Sequence, residues 1–244
     1  MKKFKKFFTL LICLLPIFRL KNFILNYLGH NISLKSKIGF SIIFVDKILM
    51  NNKSKIGNFN FININKVKLF KNSRIQNFNV FKGNFTIKLI ENSVIKNFNT
   101  FTRGNFFNGT CISYLYLGEK SQITSFSNID LADSILVSNN TVLAGKGIQL
   151  WSHGFYHDNS KKRHLIVGKI KIGTNVYVAS RVVINPSVTI KDNINIGINS
   201  AITQNLNDPG IYFPTKNNLI NYTFEKKKYK SYKFSNFEYL KKRK

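Results

Sequence analysis

The chain of 244 residues has few cysteines, few acidic residues and no apolar run long enough to span a bilayer. Cys13 and Cys111 are its two cysteines, and their wide separation indicates neither a disulfide framework nor a metal-binding cysteine pair. Ten acidic residues stand against 38 lysines and arginines, which gives a formal net charge of +28. Such an excess indicates an anionic partner, or else a compositional bias that scatters lysines over solvated faces.

Aliphatic residues recur at every sixth position in the second half of the chain. The recurring residues are Ile166, Ile172, Val178, Ile184, Ile190, Ile196 and Ile202. The fifth place of each hexad, from Ile170 to Leu206, is also small or branched. A period of six belongs neither to a helix nor to an ordinary strand, and it is typical of a parallel β-helix. We therefore predict an all-β solenoid over residues 31–210.

A looser repeat of the same kind occupies the middle of the chain. Its units begin at Met50, Leu69, Leu89 and Leu117, at spacings of 19, 20 and 28 residues, and three of the four contain Asn-Phe-Asn. One coil of a three-sided prism takes three hexads, so each unit is predicted to be a coil with one, two or ten residues inserted at a corner. The whole repeat predicts about eight or nine coils.

The N-terminal segment, residues 1–30, carries lysines followed by apolar residues that Pro16 interrupts. This pattern is similar to the start of a signal peptide, but no cleavage site of small residues follows. About twelve apolar residues are also too few to span a bilayer. We expect amphipathic helices over Phe4–Leu15 and Leu20–Leu28, which either cap the solenoid or lie on an anionic membrane surface.

The interruption of the later repeat, at residues 150–165, contains most of the histidines. His153, His157 and His164 lie here, and the chain has four histidines in all. The imidazole group can act as a base near neutral pH. We therefore expect the chemistry on this insertion, which is predicted to leave the solenoid as a loop.

The segment from Trp151 to Ile211 resembles the hexapeptide-repeat acyltransferases of the sugar and polysaccharide O-acetyltransferase type. The resemblance rests on two pairs in the loop and three hexad segments, namely Ser152-His153, His157-Asp158, Ile172–Ser180, Val183–Ile190 and Ile196–Thr203. It implies a left-handed parallel β-helix, an exception to the right-handed crossover rule. A short helical segment would precede this domain, and a basic extension, residues 211–244, would follow it.

The resemblance also implies an activity. An acetyl group would pass from acetyl-CoA to a sugar hydroxyl of a surface polysaccharide, such as capsule or lipopolysaccharide, or of a lipid-linked precursor. His153 would act as general base in a direct attack without an acyl-enzyme, and His157 and Asp158 would support it. The acceptor would contact three residues of the same loop, Trp151, Ser152 and Tyr156. No metal is expected.

The resemblance places acetyl-CoA in a groove between neighbouring subunits of a homotrimer. The matching positions are Tyr177, Ala179, Ser180, Ile198, Ala201 and Thr203. The chain departs from the family at Gln204, where many members carry a lysine that approaches the CoA phosphates. We expect a cytoplasmic protein, at the inner face of the cytoplasmic membrane and in contact with anionic lipid, with no nucleic-acid partner.

Three other functions remain open at this stage. An N-acetyltransferase acting on an amino sugar shares the fold. A γ-carbonic-anhydrase-like zinc enzyme would recruit His153, His157 and His164, although that family spreads its ligands over separate rungs. A non-catalytic scaffold or nucleic-acid-binding solenoid would use charge alone.

The C-terminal extension combines basic and aromatic residues between Asn221 and Lys244. This composition fits binding of single-stranded nucleic acid by stacking and charge. It fits equally a helix that packs its aromatic side chains on the last coil. We expect the helix.

Overall fold

The computed structural model describes residues 2–15, 17–107, 112–157, 163–214, 219–220, 229–234 and 237–242. Two helices, α1 (Lys2–Cys13) and α2 (Phe18–Tyr27), come first. Both predicted helices are present, and each begins two residues earlier than predicted. Among the described residues, no helix is long and apolar enough to cross a bilayer.

Short parallel strands then stack on three faces of a solenoid, which confirms the predicted fold class. The first face holds Lys37–Ile38, Lys55–Ile56, Arg74–Ile75, Val94–Ile95, Gln122–Ile123, Val142–Leu143, Tyr177–Val178, Ile194–Ile196 and Gly210–Tyr212. The second face holds the first halves of Ile42–Met50 and Phe61–Leu69, then Val80–Lys82, Thr100–Thr102, Asn128–Asp130, Gln149–Leu150, Val183–Ile184 and Ala201–Ile202. The third face holds Asn31–Ile32, the second halves of the two long strands, Phe85–Leu89, Ser113–Leu117, Ile135–Val137, Ile170–Ile172 and Thr189–Ile190.

Three corners join these faces. We call the turn from the first to the second face the first corner, the turn from the second to the third face the second corner, and the return to the first face the third corner. The ten-residue insertion and the histidine-rich insertion both leave at the second corner, since they follow Thr102 and Leu150 on the second face.

Aliphatic side chains fill the interior of the solenoid. Both predicted places of each hexad are buried from Ile170 to Leu206, and the corresponding side chains are at most 3% exposed. Burial of one such side chain contributes roughly 1.5–3 kcal/mol. One prediction was wrong here: Ile166 is 48% exposed. It lies opposite Gly154 in an antiparallel hairpin, so the repeat resumes at Ile170.

The first corner is braced by a buried ladder of asparagines. The Asn60 side-chain oxygen accepts a hydrogen bond from the backbone N–H of Asn79 at 2.9 Å, and the Asn79 oxygen accepts one from the backbone of Asn99 at 3.0 Å. The Asn99 oxygen in turn accepts the backbone N–H of Ser127 at 2.9 Å. Each amide therefore satisfies a buried backbone donor of the next coil, which the corner would otherwise leave unpaired.

Polar side chains hold the two helices on the first coil. The Lys21 ammonium is 2% exposed and donates to the carbonyl oxygens of Cys13 and Ile38 at 2.9 and 3.1 Å. His30 Nδ1 accepts the backbone N–H of Ile48 at 3.0 Å, and its Nε2 lies 2.9 Å from the Thr9 hydroxyl. Burial, together with the charges of nearby lysines, lowers the pKa of His30 to about 4, so the ring is neutral near pH 7.

The C-terminal extension is not helical where the structure describes it. Leu219–Ile220 pairs antiparallel with the last strand of the first face, and Tyr229–Phe234 pairs antiparallel with Phe237–Lys242. The expectation of a helix was therefore wrong for these residues.

Candidate active site

The histidine-rich insertion forms a β-hairpin rather than an irregular loop. Its strands, His153–His157 and Arg163–Val167, pair antiparallel, with His153 opposite Val167. The chain leaves the second face after Leu150 and regains the third face at Ile170. His153 thus lies at the base of the hairpin, where the hairpin joins the solenoid.

A buried carboxylate contacts His153. Nδ1 of His153 lies 2.8 Å from Oδ2 of Asp130, which ends the second-face strand of the coil below. The Asp130 side chain is 5% exposed and that of His153 is 23% exposed. With the proton of the neutral ring on Nδ1, donated to the carboxylate, Nε2 becomes the basic nitrogen. This is the geometry of an oriented general base.

Ser152 supports the carboxylate and is fully buried. Its hydroxyl lies 2.9 Å from Asp130 Oδ2, and its backbone N–H donates to the same oxygen at 3.2 Å. The hydroxyl oxygen also accepts the backbone N–H of Asp133 at 2.9 Å. The structure places the Ser152 side chain among these polar groups, and the expected contact of Ser152 with an acceptor stays a prediction.

The ten-residue insertion, which leaves the solenoid two coils below the histidine-rich one, reaches the same place. It includes a 3₁₀ turn, Asn105–Phe107, whose Phe107 ring lies edge-on to His153 at 5.1 Å between centroids. Arg103 is buried, and it donates to the carbonyl oxygen of Phe107 at 2.7 Å. The two insertions of the solenoid therefore meet at His153, because both leave at the second corner.

Aromatic side chains surround the imidazole on further sides. The Trp151 and Phe155 rings lie 6.4 and 6.1 Å from it, both edge-on, and both are partly exposed. The Trp151 indole N–H donates to the Gln149 side chain at 3.0 Å. Together with Phe107 these rings reduce water access to His153, which strengthens its interaction with Asp130.

Some predicted site residues fall outside what the structure describes. Asp158 is one, and of His157 and Tyr156 only the backbone is described. Their proposed roles in supporting the base or binding the acceptor stay predictions. The partner that the structure does place on His153 is Asp130.

The hairpin register separates the three histidines that a zinc site would need. His153 pairs with Val167 and His164 pairs with Tyr156, so the side chains of His153 and His164 lie on opposite sides of the hairpin. Four residues of strand also separate His153 from His157 by roughly 13 Å. Among the described residues, no group of three histidine, cysteine, aspartate or glutamate side chains could hold a metal ion.

The residues predicted to bind the donor occupy two places beyond the hairpin. Ala179, Ser180 and Ile198 lie at the first corner, where Asn199 N–H donates to the Ser180 carbonyl at 3.0 Å. Tyr177 is on the first face beside this corner, with 48% of its side chain exposed. Ala201 and Thr203 are at the end of the second face, two coils above Gln149, and both are exposed.

The sequence reasoning missed Asp130, Phe107 and Arg103. The repeat contained a signal for Phe107 and Arg103, since the 28-residue spacing places a ten-residue insertion two coils below the histidine-rich one. Asp130 directly follows the inward Ile129 of the coil between the two insertions, and it is one of only ten acidic residues.

Comparison with known proteins confirms the predicted resemblance over part of the chain. No family model matches the chain. The galactoside O-acetyltransferase of Escherichia coli (strain K12) is 36% identical to it over 78 residues, which are 32% of this chain. The match covers 36% of the length of that relative, so the chain spans about a third of it.

The fold comparison extends much further. The crystal structure of the polySia specific acetyltransferase NeuO matches 80% of this chain and 84% of its own, with a TM-score of 0.50 and 18% identity. The chain is a left-handed parallel β-helix of the hexapeptide-repeat type. At 18% identity the likeness to NeuO concerns the fold, and the chemistry rests on the residues around His153.

Proposed function

We propose that this chain is an acyltransferase that moves an acetyl group from acetyl-CoA to a sugar hydroxyl of a surface polysaccharide or its lipid-linked precursor. The observation that carries the proposal is the contact between His153 Nδ1 and the buried Asp130 carboxylate. The similarity to a galactoside O-acetyltransferase supports the choice of a sugar hydroxyl as acceptor.

In the proposed reaction, His153 Nε2 takes the proton of the acceptor hydroxyl as its oxygen attacks the thioester carbonyl. The tetrahedral intermediate then collapses, the C–S bond breaks, and the CoA thiolate receives the proton from the imidazolium. Asp130 stabilises that imidazolium by its negative charge and holds the ring in place. A positioned general base of this kind contributes roughly 10² to 10⁴ in rate, and no acyl-enzyme forms.

The donor is proposed to lie along the last coils. Tyr177, Ala179, Ser180 and Ile198 are at or beside the first corner, whereas His153 is at the second corner, across the second face. In a homotrimer, the first corner of these last coils in one subunit can face the second corner of the next subunit at the level of His153. This arrangement supports the proposal that the site forms between subunits.

We further propose that the protein works at the cytoplasmic face of the membrane, where lipid-linked precursors are built. The exposed side of α1 carries Phe4, Phe7, Phe8 and Leu11, and the exposed Leu15 follows two residues past the end of the helix. This spacing of three and four residues makes a continuous apolar stripe that faces away from the solenoid. Six basic and no acidic residues accompany it within residues 1–30, which favours anionic lipid.

The test measures CoA release from acetyl-CoA by the purified protein with sugar acceptors, and O-acetylation of surface glycan by NMR in cells. The His153→Ala protein should lose about 10² or more of the rate. The matched control is His164→Ala, because His164 lies on the opposite side of the hairpin. If glycan acetylation is the same with wild-type and His153→Ala protein, the proposed function is wrong. Acetyl groups on nitrogen rather than oxygen would identify an N-acetyltransferase.

A further inference from the structure

Five phenylalanines form a continuous exposed ridge along the first corner. They are Phe40, Phe59, Phe78, Phe98 and Phe126, one from each of five successive coils. Successive ring centroids are 6.1, 5.1, 5.0 and 5.1 Å apart, and the last three pairs are stacked. Each side chain is 46–59% exposed. We call this set the phenylalanine ridge.

The backbone of the ridge is strained. Phe59, Phe78, Phe98 and Phe126 have φ between +56° and +63°, a left-handed conformation that is unusual for a bulky residue and costs roughly 1–2 kcal/mol. Asparagine tolerates it better, and Asn199 occupies the same place in a later coil with φ of +61°. Stacking offsets only part of this cost, about 0.5–1.5 kcal/mol per pair. The solenoid itself therefore does not require phenylalanine here.

A basic column borders the ridge on the first face. Lys37, Lys55 and Arg74 are exposed and lie in register on successive strands. The first 90 residues contain seventeen lysines and arginines and one acidic residue, Asp46, whose carboxylate lies 3.4 Å from the Lys6 ammonium. This half of the molecule therefore presents positive charge beside the aromatic ridge.

An apolar column borders the ridge on the second face. Ile42, Phe61 and Val80 lie in register there, with side chains directed outward. A shallow cavity of about 210 Å³ lies between this column and the start of the ridge, lined by Phe40, Ser41, Ile42, Phe59, Asn60 and Phe61. The apolar surface is thus wider than the row of rings alone.

We propose that the phenylalanine ridge is a membrane-docking edge, which inserts into the headgroup region of an anionic bilayer while the basic column contacts lipid phosphates. Protruding aromatic side chains beside lysines are the chemistry of interfacial binding. Stacked rings expose their edges, so their faces are not available for bases or sugars. A second copy of this chain would bring like-charged flanks together, whereas an anionic bilayer complements them.

This docking edge extends the proposed function at the membrane. It rests on that function only in taking the cytoplasmic bilayer as the partner. The ridge runs for roughly 20 Å, four strand spacings, along the side of the solenoid. The ridge ends at Lys146, whose ammonium lies 5.1 Å from the Phe126 ring, one coil below the corner that holds Ser180.

The deciding variant combines Phe59→Asn, Phe78→Asn and Phe98→Asn. Asparagine suits the left-handed backbone, so the unfolding midpoint should equal or exceed that of the wild type. Binding is measured by sedimentation with vesicles of phosphatidylcholine containing 30% phosphatidylglycerol, and with phosphatidylcholine alone. We expect wild-type protein to bind the anionic vesicles and the triple variant to bind at least tenfold more weakly. Tyr114→Asn, which removes an exposed aromatic side chain from the third face, should bind as the wild type does.

The proposal would be overturned if the triple variant bound the anionic vesicles as strongly as the wild type. It would also be overturned if, without lipid, the wild type were an oligomer and the triple variant a monomer, because the ridge would then join two copies of the chain. A Phe78→Trp protein gives a second measurement, because brominated lipid should quench its fluorescence beyond that of Trp151, the single native tryptophan. Absence of added quenching would also contradict membrane insertion. CoA release with a soluble sugar should be unchanged in the triple variant. If the wild-type protein binds anionic vesicles but releases no CoA, the proposed transferase function fails and the proposed docking edge stands.

Discussion

Oδ2 of Asp130 and Nδ1 of His153 lie 2.8 Å apart, although the two residues are 23 positions apart in the sequence and belong to successive coils. The stacking of Asn128–Asp130 below Gln149–Leu150 creates this contact. A one-residue slip between these strands would turn Asp130 to the other side of the sheet. The regular repeat thus fixes the geometry of the irregular site.

Asp130→Asn should reduce kcat by about 10²-fold, because the amide cannot stabilise the imidazolium by charge. The KM for acetyl-CoA should change little, since the predicted donor residues lie elsewhere. Steady-state kinetics of CoA release provide the measurement. Asp192→Asn, an exposed carboxylate on the third corner, is the control. Full activity of Asp130→Asn would show that His153 needs no carboxylate partner.

Ser152→Ala should destabilise the protein and should also lower the rate of the transfer reaction. Loss of the hydroxyl leaves the Asp133 backbone N–H without its acceptor and removes a hydrogen bond from Asp130, which costs about 1–3 kcal/mol. Urea unfolding should show this loss, whereas Thr102→Ala, at an exposed position on the same face, should stay within 0.5 kcal/mol or so of the wild type. Unchanged stability would mean that the buried hydroxyl is dispensable.

Stability should fall with acidification because of His30. The pKa of this buried imidazole is lowered to about 4 from 6.5, so the unfolded chain binds its proton at a higher pH than the folded chain does. The contribution of neutral His30 to the free energy of unfolding, a few kcal/mol, is complete above pH 6.5 and is lost progressively as the pH falls toward 4. The protonated ring can no longer accept the Ile48 backbone N–H.

His30→Gln provides the comparison for this pH effect. Chemical unfolding from pH 7.5 to 4.5 should show a shallower decline in the variant, because other groups titrate equally in both proteins. Parallel curves would contradict the assignment of the pH dependence to His30. Helicity from α1 is a second readout, since Thr9 on that helix contacts His30.

Asn79→Ala should be the costliest single substitution in the asparagine ladder. It leaves the Asn99 backbone N–H without its acceptor and interrupts the chain of amides at its centre. We expect a loss of about 1–3 kcal/mol in the free energy of unfolding. Asn63→Ala, exposed on the adjacent strand, should have little effect, and equal effects at the two sites would show that the ladder adds no stability.

The solenoid could be predicted from the sequence because its determinants are local and periodic. Each hexad carries its own inward residues, and an insertion appears as a unit longer than the eighteen residues of one coil. The faces and corners can therefore be assigned by counting residues along the repeat. The resumption at Ile166 was misjudged for the same reason, since an aliphatic residue of a hairpin happened to keep the period.

The site could be predicted only in part. His153 stood out because histidine is scarce here, but its partner depends on which strand stacks below it, and the sequence alone does not place Asp130 there. Residues near in sequence, His157 and Asp158, were therefore chosen over a residue one coil away. Three of the five ridge residues, Phe59, Phe78 and Phe98, were visible in the sequence as Asn-Phe-Asn triplets, yet the direction of their side chains is set by the corner backbone.

The coil-by-coil register has a consequence for how such a protein can change its length. Each coil bonds only to its two neighbours, so duplication or loss of one whole coil in the coding sequence preserves every remaining contact. In the N-terminal half, each such event would add or remove one phenylalanine of the ridge and would change the length of the ridge by one strand spacing. The pair formed by Asp130 and His153 would be inherited unaltered.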